Sequence, residues 1–239
     1  MSRKTRRVDY CLLGAGVPED FGTAGEGPLR KSVVGAGAVS KSSQGLELSV
    51  DASPTVQLAE INQDNVLAFD LDEIICVEFD ARVDIDAGTD TTGLEFILGL
   101  AGARDDDADL IEPGIFIRIV DGSVFLESND GSGKDVDDID SEFDLNAGGW
   151  QRYSIDLVTG VQTHGAPMQS VGGKARPMFY VTGNNIGKRA LNLVHTNTSF
   201  DMSAYTGGLQ LFARAAKHDA TSTNAATLSI RNICTEIRY

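Results

Sequence analysis

Two acidic runs in this 239-residue chain have the composition of a metal-binding loop. Asp105-Asp106-Asp107-Ala108-Asp109 and Asp135-Val136-Asp137-Asp138-Ile139-Asp140 crowd carboxylates into short segments. Calcium takes roughly six to eight oxygen ligands, mostly carboxylates and carbonyls. Neither run follows the D-x-D-x-D-G loop with its distal Glu, so both read first as solvated loops. Other chemistry is thinly represented. Leu13-Gly14-Ala15-Gly16-Val17 lacks the third glycine, the following helix and the acidic residue of a dinucleotide loop. His164, His195 and His218 stand apart from any Cys or Ser nucleophile pattern, and the chain has no G-x-S-x-G or phosphate-binding loop. Trp150, the single tryptophan, has a ring that could stack on a sugar, but at a strand start after Gly148-Gly149 a core position is the expectation.

The charge is strongly partitioned. The chain carries 35 acidic and 20 basic side chains for a net −15. Residues 70–145 alone hold 23 of the acids against 4 bases, while residues 146–239 are net basic. That balance argues against a duplex nucleic-acid partner, which requires clustered Lys and Arg. The opposite asymmetry sits at the start. Arg3, Lys4, Arg6 and Arg7 place four cations in seven residues. They read as a docking arm for an acidic surface, either another copy's middle third or a different partner. Cys11, Cys76 and Cys234 form no CxxC pair and read as buried free thiols, which suits a reducing cytoplasm. No stretch approaches the ~18 apolar residues of a membrane span, and the short apolar run after Val8 is too weak for an export signal.

The elements that must position these residues are strands. Residues 1–43 are broken by glycines and prolines and read as an extended arm held by neighbouring subunits. Period-two alternation begins near Gln44. In Ile74–Asp84, residues Ile75, Val77, Phe79, Ala81 and Val83 fall on one face, with Glu78, Asp80, Arg82 and Asp84 on the other. Asp121-Gly122 signals a hairpin. About ten such runs up to Ile237 predict an all-β fold, an antiparallel jelly-roll β-sandwich over residues 44–239 with an extended N-terminal arm.

Gly148-Gly149-Trp150-Gln151-Arg152-Tyr153-Ser154-Ile155-Asp156 resembles the G-x-W-h-x-Y-x-I strand of concanavalin A-like lectin, glucanase and laminin-G jelly rolls. Phe179-Tyr180-Val181-Thr182-Gly183 is similar to the Y-V-D-G hairpin of that superfamily, and Leu209–Ala213 with Ile230–Ile237 resemble its closing strands. Glucanases of this fold carry E-x-D-x-x-E on one strand, and the resemblance implies looking for that set. Glu78-Phe79-Asp80 and Glu142-Phe143-Asp144 each begin it, but Val83 and Ala147 stand where the second Glu belongs. The chain is therefore expected not to be an enzyme, and no catalytic residues are assigned. The laminin-G resemblance leaves calcium as the one cofactor worth testing; no metal ligands are assigned.

Two functions are consistent with such a chain. A jelly roll with a long arm resembles the decoration, or cement, proteins of tailed-bacteriophage heads. That reading predicts a virion structural protein assembled in the host cytoplasm, a homo-oligomer docked through Arg3, Lys4, Arg6 and Arg7 onto the major capsid protein and its own copies. It involves no membrane. The alternative is a lectin-like carbohydrate-binding module, and an arm packed only on its own domain would favour it.

Overall fold

A computed structural model of the chain describes residues 5–11, 29–66, 69–86, 90–133, 135–157, 177–183, 186–192 and 200–238. Among these residues the chain forms two antiparallel sheets of eight strands each, packed face to face as a jelly-roll sandwich. Sheet I runs β14 (Gly187–Ala190), β13 (Met178–Gly183), β12 (Gln151–Asp156), β7 (Ile74–Ile85), β16 (Ala226–Arg238), β4 (Gly45–Val50), β3 (Ala38–Ser42). Sheet II runs β11 (Asp135–Asp144), β10 (Ser123–Asn129), β9 (Gly114–Val120), β8 (Leu94–Ala101), β15 (Gly208–Lys217), β5 (Gln57–Asn62), β2 (Arg30–Val34). Two strands lie off these paths: β1 (Thr5–Cys11) pairs with β16, and β6 (Phe69–Asp70) pairs with β15.

Alternation drives the packing. Val77, Phe79, Ala81 and Val83 of β7 are buried in the core, as the period-two pattern predicts, but Ile75 is only half-buried and Ile74 enters the core in its place, where the β7–β16 register shifts. The core residues of β7 meet Leu98 and Leu100 of β8, Ile117 of β9 and Leu211 of β15 within one continuous cluster. Each fully buried Leu, Ile or Phe contributes about 1.5–3 kcal/mol relative to exposure. Strand β16 is the spine of sheet I. It pairs with β7 along nearly its whole length, while β4 flanks its first half and β1 its second. The changeover lies at a bulge between Ile230 and Asn232. There Gly45, at φ +128°, lets β4 approach so closely that a Cβ would lie 2.4 Å from the Ile230 carbonyl.

Three findings correct the sequence expectation. Regular strands begin well before Gln44, because β2 and β3 lie inside the segment read as an arm and join opposite sheets. The acidic run 135–140 is no loop but part of β11, hydrogen-bonded to β10. Its apolar residues Val136, Ile139 and Phe143 have no period of two, since bulges with Asp138 at φ 48° and Glu142 at φ 58° reset the register between them. All three still pack against the core. Trp150 is not a core residue either. It lies half-buried on the outer face of sheet I, with the guanidinium of Arg231 4.5 Å and that of Arg82 5.2 Å from its ring centroid.

Strand β8 is buried at every position, which requires cover on both faces. The outer cover is a strap, residues 102–113, closed by a Gly102 N–H to Pro113 carbonyl hydrogen bond of 2.7 Å. Its Ala108 and Ile111 pack on Ile97, Ala101, Phe116 and Phe212 of sheet II. At the centre of this contact Gly99 keeps β8 and β9 close; a Cβ there would sit 2.2 Å from the Ile115 carbonyl. Gly99→Ala should therefore cost about 2–4 kcal/mol of stability. Urea denaturation measures this, and a loss under about 0.5 kcal/mol would show that the strands part without cost.

Candidate functional site

The outer face of sheet II holds more buried charge than any other described surface. Alternation that sends Phe96, Leu98, Ile117 and Ala213 inward sends Glu95, Arg118, Glu60 and Arg214 outward. There the strap covers them. Arg214 and Glu60 are wholly buried and paired at 2.8 Å. Arg214 also donates to the backbone carbonyls of Asp105 and Asp106 in the strap. Arg104 bridges Glu60, at 3.1 Å, to Asp106. Arg118 is the second hub, with Glu95 and Asp109 at 2.7 Å, Glu127 at 3.0 Å and Asp138 at 3.5 Å. It joins the strap, the β10–β11 hairpin and the middle of the sheet.

Beside the strap the same face opens into a cleft of about 480 Å³. Leu58, Val120 and Ala216 supply apolar surface, and Val56 stands 53% exposed along the lining. Glu95, Arg118, His218 and the strap's Asp106, Asp107 and Asp109 supply the polar lining. Lys217, though fully buried, also contributes; its Nζ donates to the carbonyl of Ser53 at 3.0 Å and to that of Asp51. His218 is exposed and lies 3.4 Å from Asp121. Asp107 accepts the Asp109 N–H at 3.1 Å and so caps the short 3-10 turn Ala108–Leu110 that shapes the cleft's edge. The cleft thus joins apolar surface to a convergent polar rim, the usual make-up of a small-molecule site.

Glu127, Asp137 and Asp138 bring carboxylate oxygens within 4.8 Å of one another. A calcium ion is the cation the fold would suggest, but the arrangement does not fit one. The Arg118 guanidinium already contacts Glu127 and Asp138, so a cation entering there would face a fixed positive charge. Among the described residues only Glu127, Asp137 and Asp138 bring ligand oxygens this close together, and Asp137 and Asp138 are exposed. Burial raises the Glu127 carboxyl to about 8, with Arg118 opposing and Asp137 and Asp138 adding to the rise. The folded state thus holds a proton that the unfolded chain releases near pH 4.5. Its contribution is complete below pH 4.5 and is lost as the pH climbs towards 8. Glu127→Gln should flatten the decline in stability between these values and add about 1 kcal/mol near pH 8. Urea melts across that range test it, and an unchanged slope would contradict it.

The other candidate residues from the sequence do not converge on the cleft. Glu78 and Asp80 lie on sheet I, where Arg152 grips Asp80 through two hydrogen bonds of 2.7 and 2.9 Å and reaches Glu78 at 3.7 Å. Glu142 and Asp144 are exposed on β11. Burial pushes the Cys76 and Cys234 thiols up to about 12, which makes both poor nucleophiles. Arg6 and Arg7 are exposed on β1, with Arg7 held to Asp9 at 2.9 Å. Arg3, Lys4, His164, His195 and the Leu13–Val17 segment lie outside the described residues, and for Cys11 only the backbone is described. Sequence reading missed Glu60, Glu95, Glu127, Arg118, Arg214 and Lys217. One signal was available: Glu95 and Arg118 interrupt otherwise apolar strands, a polar residue where a doubly covered strand should have none.

No protein-family model matches the chain, and the search of curated proteins gives no match. Solved structures do resemble it. Lectin II from Ulex europaeus superposes with a TM-score of 0.56 at 12% identity, covering 97% of this chain and 98% of that one. The lectin UEA-II complexed with galactose gives 0.57 at 12% identity, over 97% and 98%. The exoplasmic/lumenal domain of VIP36 in its Ca2+/Man2-bound form gives 0.52 at 10% identity, over 91% and 84%. At such identities the likeness shows the fold, and this chain shares the antiparallel jelly-roll sandwich of those structures.

Proposed function

We propose that this chain is a non-catalytic carbohydrate-binding module whose site is the cleft on the outer face of sheet II. The observation that carries the reading is the pairing of an apolar surface with a hydrogen-bonding rim in that cleft. A sugar ring offers the complement, an apolar C–H face and hydroxyls that both donate and accept. Carboxylate acceptors make the stronger, charge-assisted bonds to those hydroxyls. The fold supports the same reading, because structures sharing it include a lectin complexed with galactose and the VIP36 exoplasmic/lumenal domain in a Ca2+/Man2-bound form. A non-catalytic role agrees with the fate of Glu78 and Asp80, whose carboxylates are engaged by Arg152 on the opposite sheet.

The competing reading, a phage capsid decoration protein docked through its basic start, requires an arm free to reach a neighbour. The described parts of that segment instead complete this chain's own sheets, β1 on β16, β2 on β5 and β3 on β4. That arrangement favours the carbohydrate reading. A glycan array should therefore yield at least one glycan class retained above control, and titration of that glycan should show saturable binding. His218→Ala, which removes an exposed side chain from the cleft, should weaken binding about tenfold with unchanged thermal stability. An array blank across all classes would overturn the proposal.

A further inference from the structure

The cations of the cleft are engaged by the protein, and its exposed rim is anionic. Arg118 donates its Nε to Glu95 and one terminal nitrogen to Asp109, Glu127 and Asp138. Lys217 donates to the carbonyls of Asp51 and Ser53. Facing the opening are the carboxylates of Asp106, Asp107 and Asp109, with Glu95 deeper in. Asp106 and Asp109 are paired with Arg104 and Arg118, but at 63% and 58% side-chain exposure both still present carboxylate oxygens to a ligand.

Building on the carbohydrate reading, we infer that the cleft selects glycans bearing free amines, 2-amino sugars in their ammonium form, over neutral glycans, and rejects uronates and sulfates. An ammonium group makes charge-assisted hydrogen bonds to carboxylates that a hydroxyl or acetamide cannot match. An acidic glycan would instead bring like charge against three aspartates on one short strap, and like-charge juxtaposition is a common means of rejecting a wrong partner. The excess of acids in residues 70–145 supports this directly, because Asp106, Asp107 and Asp109 belong to it.

The test is calorimetric titration of the full chain near pH 6 with three oligosaccharides of equal length: glucosamine, N-acetylglucosamine and galacturonate. The glucosamine oligomer should bind about tenfold more tightly than its N-acetylated counterpart, and galacturonate should give no heat. Raising NaCl from about 50 to about 300 mM should weaken the amine ligand severalfold, because the screening length shortens. Asp107→Asn, which keeps an acceptor for the turn cap, should cost the amine ligand about threefold and leave the acetylated one unchanged. Equal or tighter binding of the acetylated oligomer, or any binding of galacturonate, overturns this inference. If none of the three binds while the array retains another glycan, this inference alone falls. If the array is blank as well, both fall.

Discussion

Three guanidinium groups on the outer face of sheet II organise the rest of the molecule. Arg214, Arg104 and Arg118 tie an acidic strap to a sheet whose own outer face carries Glu60, Glu95 and Glu127. Without the strap, Phe116 and Phe212 would face water and Arg214 with Glu60 would lose their cover. Without the arginines, the strap's aspartates would lie against three buried glutamates. Neither layer is tolerable alone, since isolated charges in a dry environment cost several kcal/mol each. The contact therefore specifies where the strap lies more than it adds net stability, and the strap's position defines the cleft.

This arrangement gives the uneven charge of the chain a structural meaning. The acids of the middle third do not form only a diffuse solvated surface. One from the strap, Asp109, and one from β11, Asp138, meet the sheet's Glu95 and Glu127 at Arg118, while most of their neighbours stay exposed. One guanidinium cannot neutralise all four; burial does most to raise the Glu127 carboxyl, and the neighbouring Asp137 and Asp138 add to the rise against Arg118. The same excess leaves aspartates exposed at the rim of the cleft. The buried Glu95 and Glu127 of the sheet and the exposed aspartates at its surface thus belong to one acidic stretch of the chain.

The core was legible in the sequence wherever strands are covered on one face only. In β7, alternation alone placed Val77, Phe79, Ala81 and Val83 inward and the acids outward. Legibility failed at sheet edges and at bulges. Strands β2, β3 and β14 are short and polar, as edge strands commonly are, and carry too few apolar residues to show a period. Strand β11 has the apolar residues, but its bulges shift them out of phase, so its acidic character dominated. The site was less legible still. Arg214 and Glu60 stand 154 positions apart, and only the adjacency of β5 and β15 in sheet II brings them together. Trp150 read as core because a tryptophan at a strand start usually packs inward, whereas here two arginines flank it on the outer face.

The central claim is that the cleft beside the strap is where a glycan binds. Amide hydrogen exchange of the full chain, with and without a glycan retained on the array, tests it most directly. The account predicts slowed exchange confined to residues 56–58, 105–110, 118–121 and 216–218, with the outer face of sheet I around Trp150 unchanged. Protection centred on sheet I, or spread evenly over both sheets, would contradict it.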